Sequence, residues 1–202
     1  MDMFIIPQLL EEVGPINAAA KKMAGQMGTD DPREVFNRIN SGEWVVMKAE
    51  KPVTVRLGIC ETPEAYRKAL RLPSVSIGGW GDDILGRITC SKEKIDLELI
   101  MPSVADLGFK AGGRYVNICA RAQELGYELC PAEIGPALRL QYGNQPIGER
   151  LRIAMEAIPD RDGNPRIFCV ERDDDDSWLN GDYGHPDHFC FAGRRFVFCR
   201  RK

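Results

Sequence analysis

The chain has 202 residues, 44% of them hydrophobic, with seven cysteines and a formal net charge of −3. Such a composition supports a packed core and excludes wholesale disorder. The slight acidic excess disfavours nucleic-acid binding, which needs a basic surface, and no apolar stretch reaches the roughly 18 residues of a membrane span.

Met3 to Ile6 is a short apolar run ended by Pro7 and followed by Glu11 and Glu12, without the basic flank of a signal peptide. The expected location is therefore cytoplasmic, where the cysteines are reduced thiols. Their odd number also fits no closed disulfide framework. Residues 1–42 read as an N-terminal helical extension. Pro15 to Met27 is rich in helix formers, and Asp30-Asp31-Pro32 starts a second helix with an acidic cap and a first-turn proline. Ser41-Gly42 ends it.

Residues 43–202 read as a single α+β domain. Trp44 to Met47 is a short strand. Val53, Val55 and Leu57 alternate with Thr54 and Arg56, the period of a half-buried strand. Thr62-Pro63-Glu64 opens a helix that packs through Ala65, Tyr66, Ala69 and Leu70. The glycines of Ser76 to Gly86 lack the spacing of a phosphate loop, so they mark a tight turn before a short helical segment, with Trp80 in the core. Ile95, Leu97 and Leu99 alternate with Asp96 and Glu98 as a further strand.

Tyr115, Ile118, Cys119, Ala122 and Leu125 form one helical stripe, and Gly126 is its stop. Leu138, Leu140 and Tyr142 alternate with Arg139 and Gln141, which predicts a strand forming a hairpin with residues 151–158. A turn at Pro159 to Pro165, strands at 167–172 and 195–200, and a surface loop at Asp173 to Asp176 complete the pattern. The expected fold is α+β: a mostly antiparallel sheet of about six strands with two main helices on one face.

The run ARAQELGYELCPAEIGPALRLQY, then QPIGERLRIAMEAI and RFVFCRRK, with IGGWGDDILG ahead of them, resembles an uncharacterised family of small hypothetical proteins from metagenomic candidate-phylum bacteria. The similarity covers about residues 78–202. It implies a bacterial cytoplasmic origin and carries over no catalytic residue.

Two groups of candidate site residues stand out. Trp178, Asp182, Tyr183 and His185 place aromatic and polar groups in one short segment, as a small-molecule or carbohydrate-like site requires. His185, His188 and Cys190 could hold zinc with Cys169 or Cys199 as a fourth ligand, although their spacing matches no standard zinc signature. The acidic run Asp173 to Asp176 lacks the alternation of a calcium loop. With no catalytic or metal motif, the leading expectation is a cytoplasmic bacterial binding module without a cofactor. Its partner would be a macromolecule, with protein favoured over nucleic acid and no membrane contact. A homo-oligomer stays open. The alternative is a small enzyme or zinc-dependent protein with its site at residues 178–190.

Overall fold

The computed structural model describes Asp31, Arg33, Asn37 and residues 52–200. The bulk of the N-terminal extension, the strand expected at Trp44 to Met47 and the basic pair Arg201-Lys202 lie outside the described residues. Of the second helix start, the Asp31 carboxylate accepts a hydrogen bond from the Arg33 N–H at 2.9 Å. Residues 52–200 fall within one compact unit.

Strand β1 (Val53–Leu57) buries Val55 and Leu57 and exposes Thr54 and Arg56, as its alternation predicts. It pairs antiparallel with β3 (Ile95–Ile100). Between them lie helix α1 (Pro63–Ala69), strand β2 (Val75–Ile77) and helix α2 (Gly79–Leu85). Thr62 caps α1 by accepting from the Ala65 N–H at 3.1 Å. Strand β4 (Gly113–Arg114) runs directly into helix α3 (Tyr115–Glu124), whose buried face is Tyr115, Ile118 and Ala122. Gly126 ends the helical segment with φ of +83°.

Strand β5 (Tyr127–Glu128) and helix α4 (Ile134–Gln141) follow. The second half of the unit is almost all strand: β6 (Arg150–Ile153), β7 (Ile158–Pro159), β8 (Pro165–Arg172), β9 (Ser177–Tyr183), β10 (Phe189–Cys190) and β11 (Arg195–Arg200). The main sheet runs β1-β3-β11-β6-β8-β9-β2, with β5 added on β11 and β7 on β8. Strands β11 and β6 pair in parallel, as do β2 and β9. The fold is therefore α+β, but the sheet is mixed and has nine strands instead of a mostly antiparallel six. Within residues 52–200 four helices accompany it: those expected at 62–70, 79–86 and 114–125, and a further one at 134–141.

Three local expectations are corrected. Residues 138–142 are not a strand: α4 occupies 134–141, because Ile134, Ala137 and Leu138 form a helical stripe and Pro136 sits in the first turn, where its missing N–H costs nothing. The hairpin with 151–158 therefore does not form; β6 pairs with β8 and β11 instead. Trp80 is not in the core but 37% exposed, with the Arg166 guanidinium 4.3 Å from its ring centre.

Beneath the sheet's helices the core joins Phe168, Phe196, Phe198, Leu99, Ile118 and Leu138, all fully buried. Two carboxylate residues, Glu133 and Asp160, are buried as well. Glu133, at the entry to α4, accepts from the Tyr66 hydroxyl at 2.7 Å, the Gly58 N–H at 3.0 Å and the Ser91 N–H at 2.7 Å. It ties α1, the end of β1 and the loop before β3 to one point.

Candidate functional site

The segment expected to carry the site divides into two places. Ser177–Tyr183 is strand, not loop, because it pairs along its whole length with β8, from Arg172↔Ser177 to Arg166↔Tyr183. Only Leu179 of β9 is fully buried, so the strand lacks the apolar alternation by which strands are recognised in sequence. The chain then turns at Gly184 and Pro186 and returns through β10, which pairs with β4.

This second turn gathers aromatic side chains at the surface. The Phe189 and Phe191 rings meet edge to face, 5.7 Å between centres, and are 47% and 66% exposed. The Arg194 guanidinium lies 5.6 Å from the Phe191 ring centre. Val116, also exposed, stands in the first turn of α3, and its N–H donates to the Pro186 carbonyl at 3.0 Å. Phe189 is held from both sides. Its strand pairs with Arg114, and its ring lies over Gly112, where a Cβ would stand 2.8 Å from it and 2.6 Å from the Cys190 carbonyl oxygen. Gly112 also has φ of +91°, so a glycine at this position permits the close approach. The ridge is thus built on paired backbone.

The residues proposed from sequence are only partly brought together. Tyr183 stacks on His185 with ring centres 5.9 Å apart and meets His188 edge-on at 5.4 Å. Asp182 points elsewhere: its carboxylate pairs with Arg152 at 2.6 Å and Arg150 at 3.5 Å. Burial raises the Asp182 carboxyl, but the two guanidiniums and the Tyr183 N–H outweigh it and hold the group below the usual range. Trp178 lies at the other end of β9, donating from Nε1 to Asp173 at 2.9 Å.

The zinc set is not assembled. His185 Nδ1 accepts from the Asp187 N–H at 3.1 Å, and His188 Nε2 lies 2.8 Å from an Arg194 guanidinium nitrogen. Burial and that cation push the His188 imidazole below its ordinary value. Among the described residues no group of three or more His, Cys, Asp or Glu side chains has the arrangement of a metal site. Burial pushes the Cys190 thiol up, against its use as a nucleophile.

Trp178 belongs to a second place, an open cleft of about 540 Å³ between the loop before β6 and the β8–β9 hairpin. Ile147, Glu149, Arg150, Glu171, Trp178 and Asn180 are among its walls. Glu149 is nine-tenths buried; one carboxylate oxygen pairs with Arg195 at 2.5 Å, and the other is buried and accepts no hydrogen bond. The loop is fastened from below by Gln145, which is fully buried and donates to the Glu149 and Val170 carbonyls at 3.1 and 3.2 Å.

Sequence reading missed both the ridge and the cleft. The ridge had a signal: Phe189 and Phe191 stand in a run otherwise made of turn residues, where aromatic side chains have no core to enter. The cleft had none, because its walls come from segments more than twenty residues apart. Comparison with family models, with curated proteins and with solved structures finds no match. No helix of the described residues is long and apolar enough to cross a membrane.

Proposed function

We propose that the chain is a cytoplasmic bacterial protein-binding module, and that the ridge of Phe189, Phe191 and Val116 is its contact surface. The supporting observation is that two phenylalanines stand out into solvent, Phe189 on paired backbone and Phe191 just after it. Leaving such rings about half exposed forgoes roughly half of the 1.5–3 kcal/mol that full burial of a phenylalanine gives, and binding recovers it. Aromatic side chains flanked by arginine are the residue types that carry binding energy at protein interfaces. Arg114 and Arg194 outnumber Asp187 at the margin, so the complementary partner is a protein with an apolar groove and an acidic rim.

The test is a pull-down from a bacterial lysate with the native protein and with F189S/F191S. The reading requires a partner that the native protein captures and the double variant loses, at unchanged circular dichroism and Tm. Equal capture by both, or no capture by either, rejects it. A shift of the native protein alone to a dimer on size exclusion, abolished in the variant, would replace the foreign partner by a second copy.

The cleft at Trp178 supports a second reading, a site for a small polar ligand. The observation favouring it is the unpartnered, buried Glu149 oxygen in a wall that also carries an indole. Ligand-observed NMR with a set of polar fragments tests it; signals that survive in W178A remove the cleft as the site.

A further inference from the structure

Two thiols lie against each other at the centre of the sheet. Cys130, in the segment between β5 and α4, has its Sγ 3.3 Å from the Sγ of Cys199 on β11. Both residues are 4% exposed. The register explains the meeting. Strand β5 pairs with β11 at Glu128↔Cys199, so two residues later Cys130 stands diagonally across from Cys199. Its own backbone stays beside the sheet: the Cys130 N–H donates to the Ala154 carbonyl at 2.7 Å, and its thiol lies 3.4 Å from the Val197 carbonyl oxygen. The remaining cysteines are also free thiols, so a cross-link here would have to be selective.

We propose that Cys130 and Cys199 are a reversible disulfide site, closed by peroxide and reopened by thiol reductants. A disulfide bond of about 2.05 Å needs roughly 1.2 Å of further approach, a distance of the order that side-chain torsions can supply. The roles are unequal. Contact with the Cys130 sulfur holds the Cys199 thiol below its ordinary value, whereas burial pushes the Cys130 thiol, which donates to the Val197 carbonyl, up. Cys199 is therefore the attacking thiolate, and it lies one residue from the exposed Arg200.

The chemistry balances. The Cys199 thiolate attacks one oxygen of hydrogen peroxide and breaks the O–O bond, giving the sulfenic acid and hydroxide, which takes up a proton to become water. The Cys130 sulfur then attacks the sulfenyl sulfur, forming the S–S bond and expelling hydroxide, which takes up the Cys130 proton as a second water. Two thiols are oxidised by two electrons, and one peroxide is reduced to two waters. A thiol reductant reverses the bond by exchange through a mixed disulfide.

The test uses the full chain treated with a small excess of hydrogen peroxide at neutral pH. It is then denatured, alkylated and digested with trypsin without reduction. The expected product is the peptide ending at Arg139 joined to the peptide ending at Arg200, lighter by two hydrogens than the sum, and absent after dithiothreitol. Alkylation of both Cys130 and Cys199 after peroxide, a cross-link to any other cysteine, or conversion of Cys199 to the sulfinic acid would each overturn the proposal. In C130S the Cys199 sulfenic acid should persist long enough to be trapped by dimedone; C199S should give no adduct on Cys130. Because the mapping on the native sequence decides the question, it does not depend on either variant folding.

Discussion

Gln141 treats Arg56 as a neighbouring strand would. Its side-chain oxygen accepts from the Arg56 N–H at 2.9 Å and its side-chain nitrogen donates to the Arg56 carbonyl at 2.8 Å. Strand β1 is an edge of the sheet, and the next outward N–H, that of Gly58, is taken by Glu133. Two side chains from the α4 region thus occupy backbone groups that would otherwise invite another strand.

Q141A removes both bonds from the edge. It should cost about 1 kcal/mol in urea unfolding, since these bonds are at the surface and water replaces them. Its more telling effect is association. Light scattering during refolding should rise above that of the native protein, whereas an unchanged signal would show that β1 needs no cover.

Glu133 should be far more sensitive. E133A leaves a buried hydroxyl and two backbone N–H groups without their acceptor, and a loss of about 3–5 kcal/mol is expected. Y66F removes only one of the three bonds and should cost about 2 kcal/mol. Chemical denaturation of the two variants gives the order, and a Y66F loss equal to that of E133A would contradict the three-way role.

Acid should weaken the unit through Asp182. Its folded value lies below the unfolded one, so on acidification the unfolded chain takes up the proton first. The stabilisation is complete above the unfolded value of about 3.9 and is lost as pH falls through the folded value. Tm measured from pH 6 downward should therefore drop below about pH 4. D182N should be destabilised at neutral pH and show a shallower acid slope.

G112A should damage the ridge before the rest of the sheet. Its positive φ alone costs about 1–2 kcal/mol for a residue with a Cβ, and the Cβ would strike the Cys190 carbonyl and the Phe189 ring. Hydrogen exchange should quicken at Phe189 and Cys190 while β8 stays protected. If the ridge binds the partner, capture should fall in parallel.

Much of the fold is legible where burial follows a simple period. Strands β1 and β3 and helices α1 and α3 have one apolar face, β8 and β11 are continuous apolar runs buried on both faces, and Thr62 and Gly126 mark helix ends. Legibility fails where polar side chains are buried or apolar ones are not. In α4, Arg139 is buried through bonds to Gln145 and to the Glu171 and Tyr142 carbonyls, while Leu140 is only half-buried, so the helix mimics an alternating strand. In β9, neighbouring strands and α2 cover a chain of Trp, Asn, Gly and Asp, and pairing replaces pattern. The candidate site failed for a related reason. Proximity along the chain placed Asp182 with His185, but on a strand successive side chains leave on opposite faces, and Arg152 claims Asp182.

The position of β11 has a consequence for how the protein is made. It pairs with β3 on one side and β6 on the other, and so joins the two halves of the main sheet. A ribosome releases β1 and β3 early and β6, β8 and β9 later, and the strand that pairs with both β3 and β6 is complete only when Arg195 to Arg200 has left the exit tunnel. Until then each half carries an open edge, and the nascent chain depends on whatever shields those edges during synthesis.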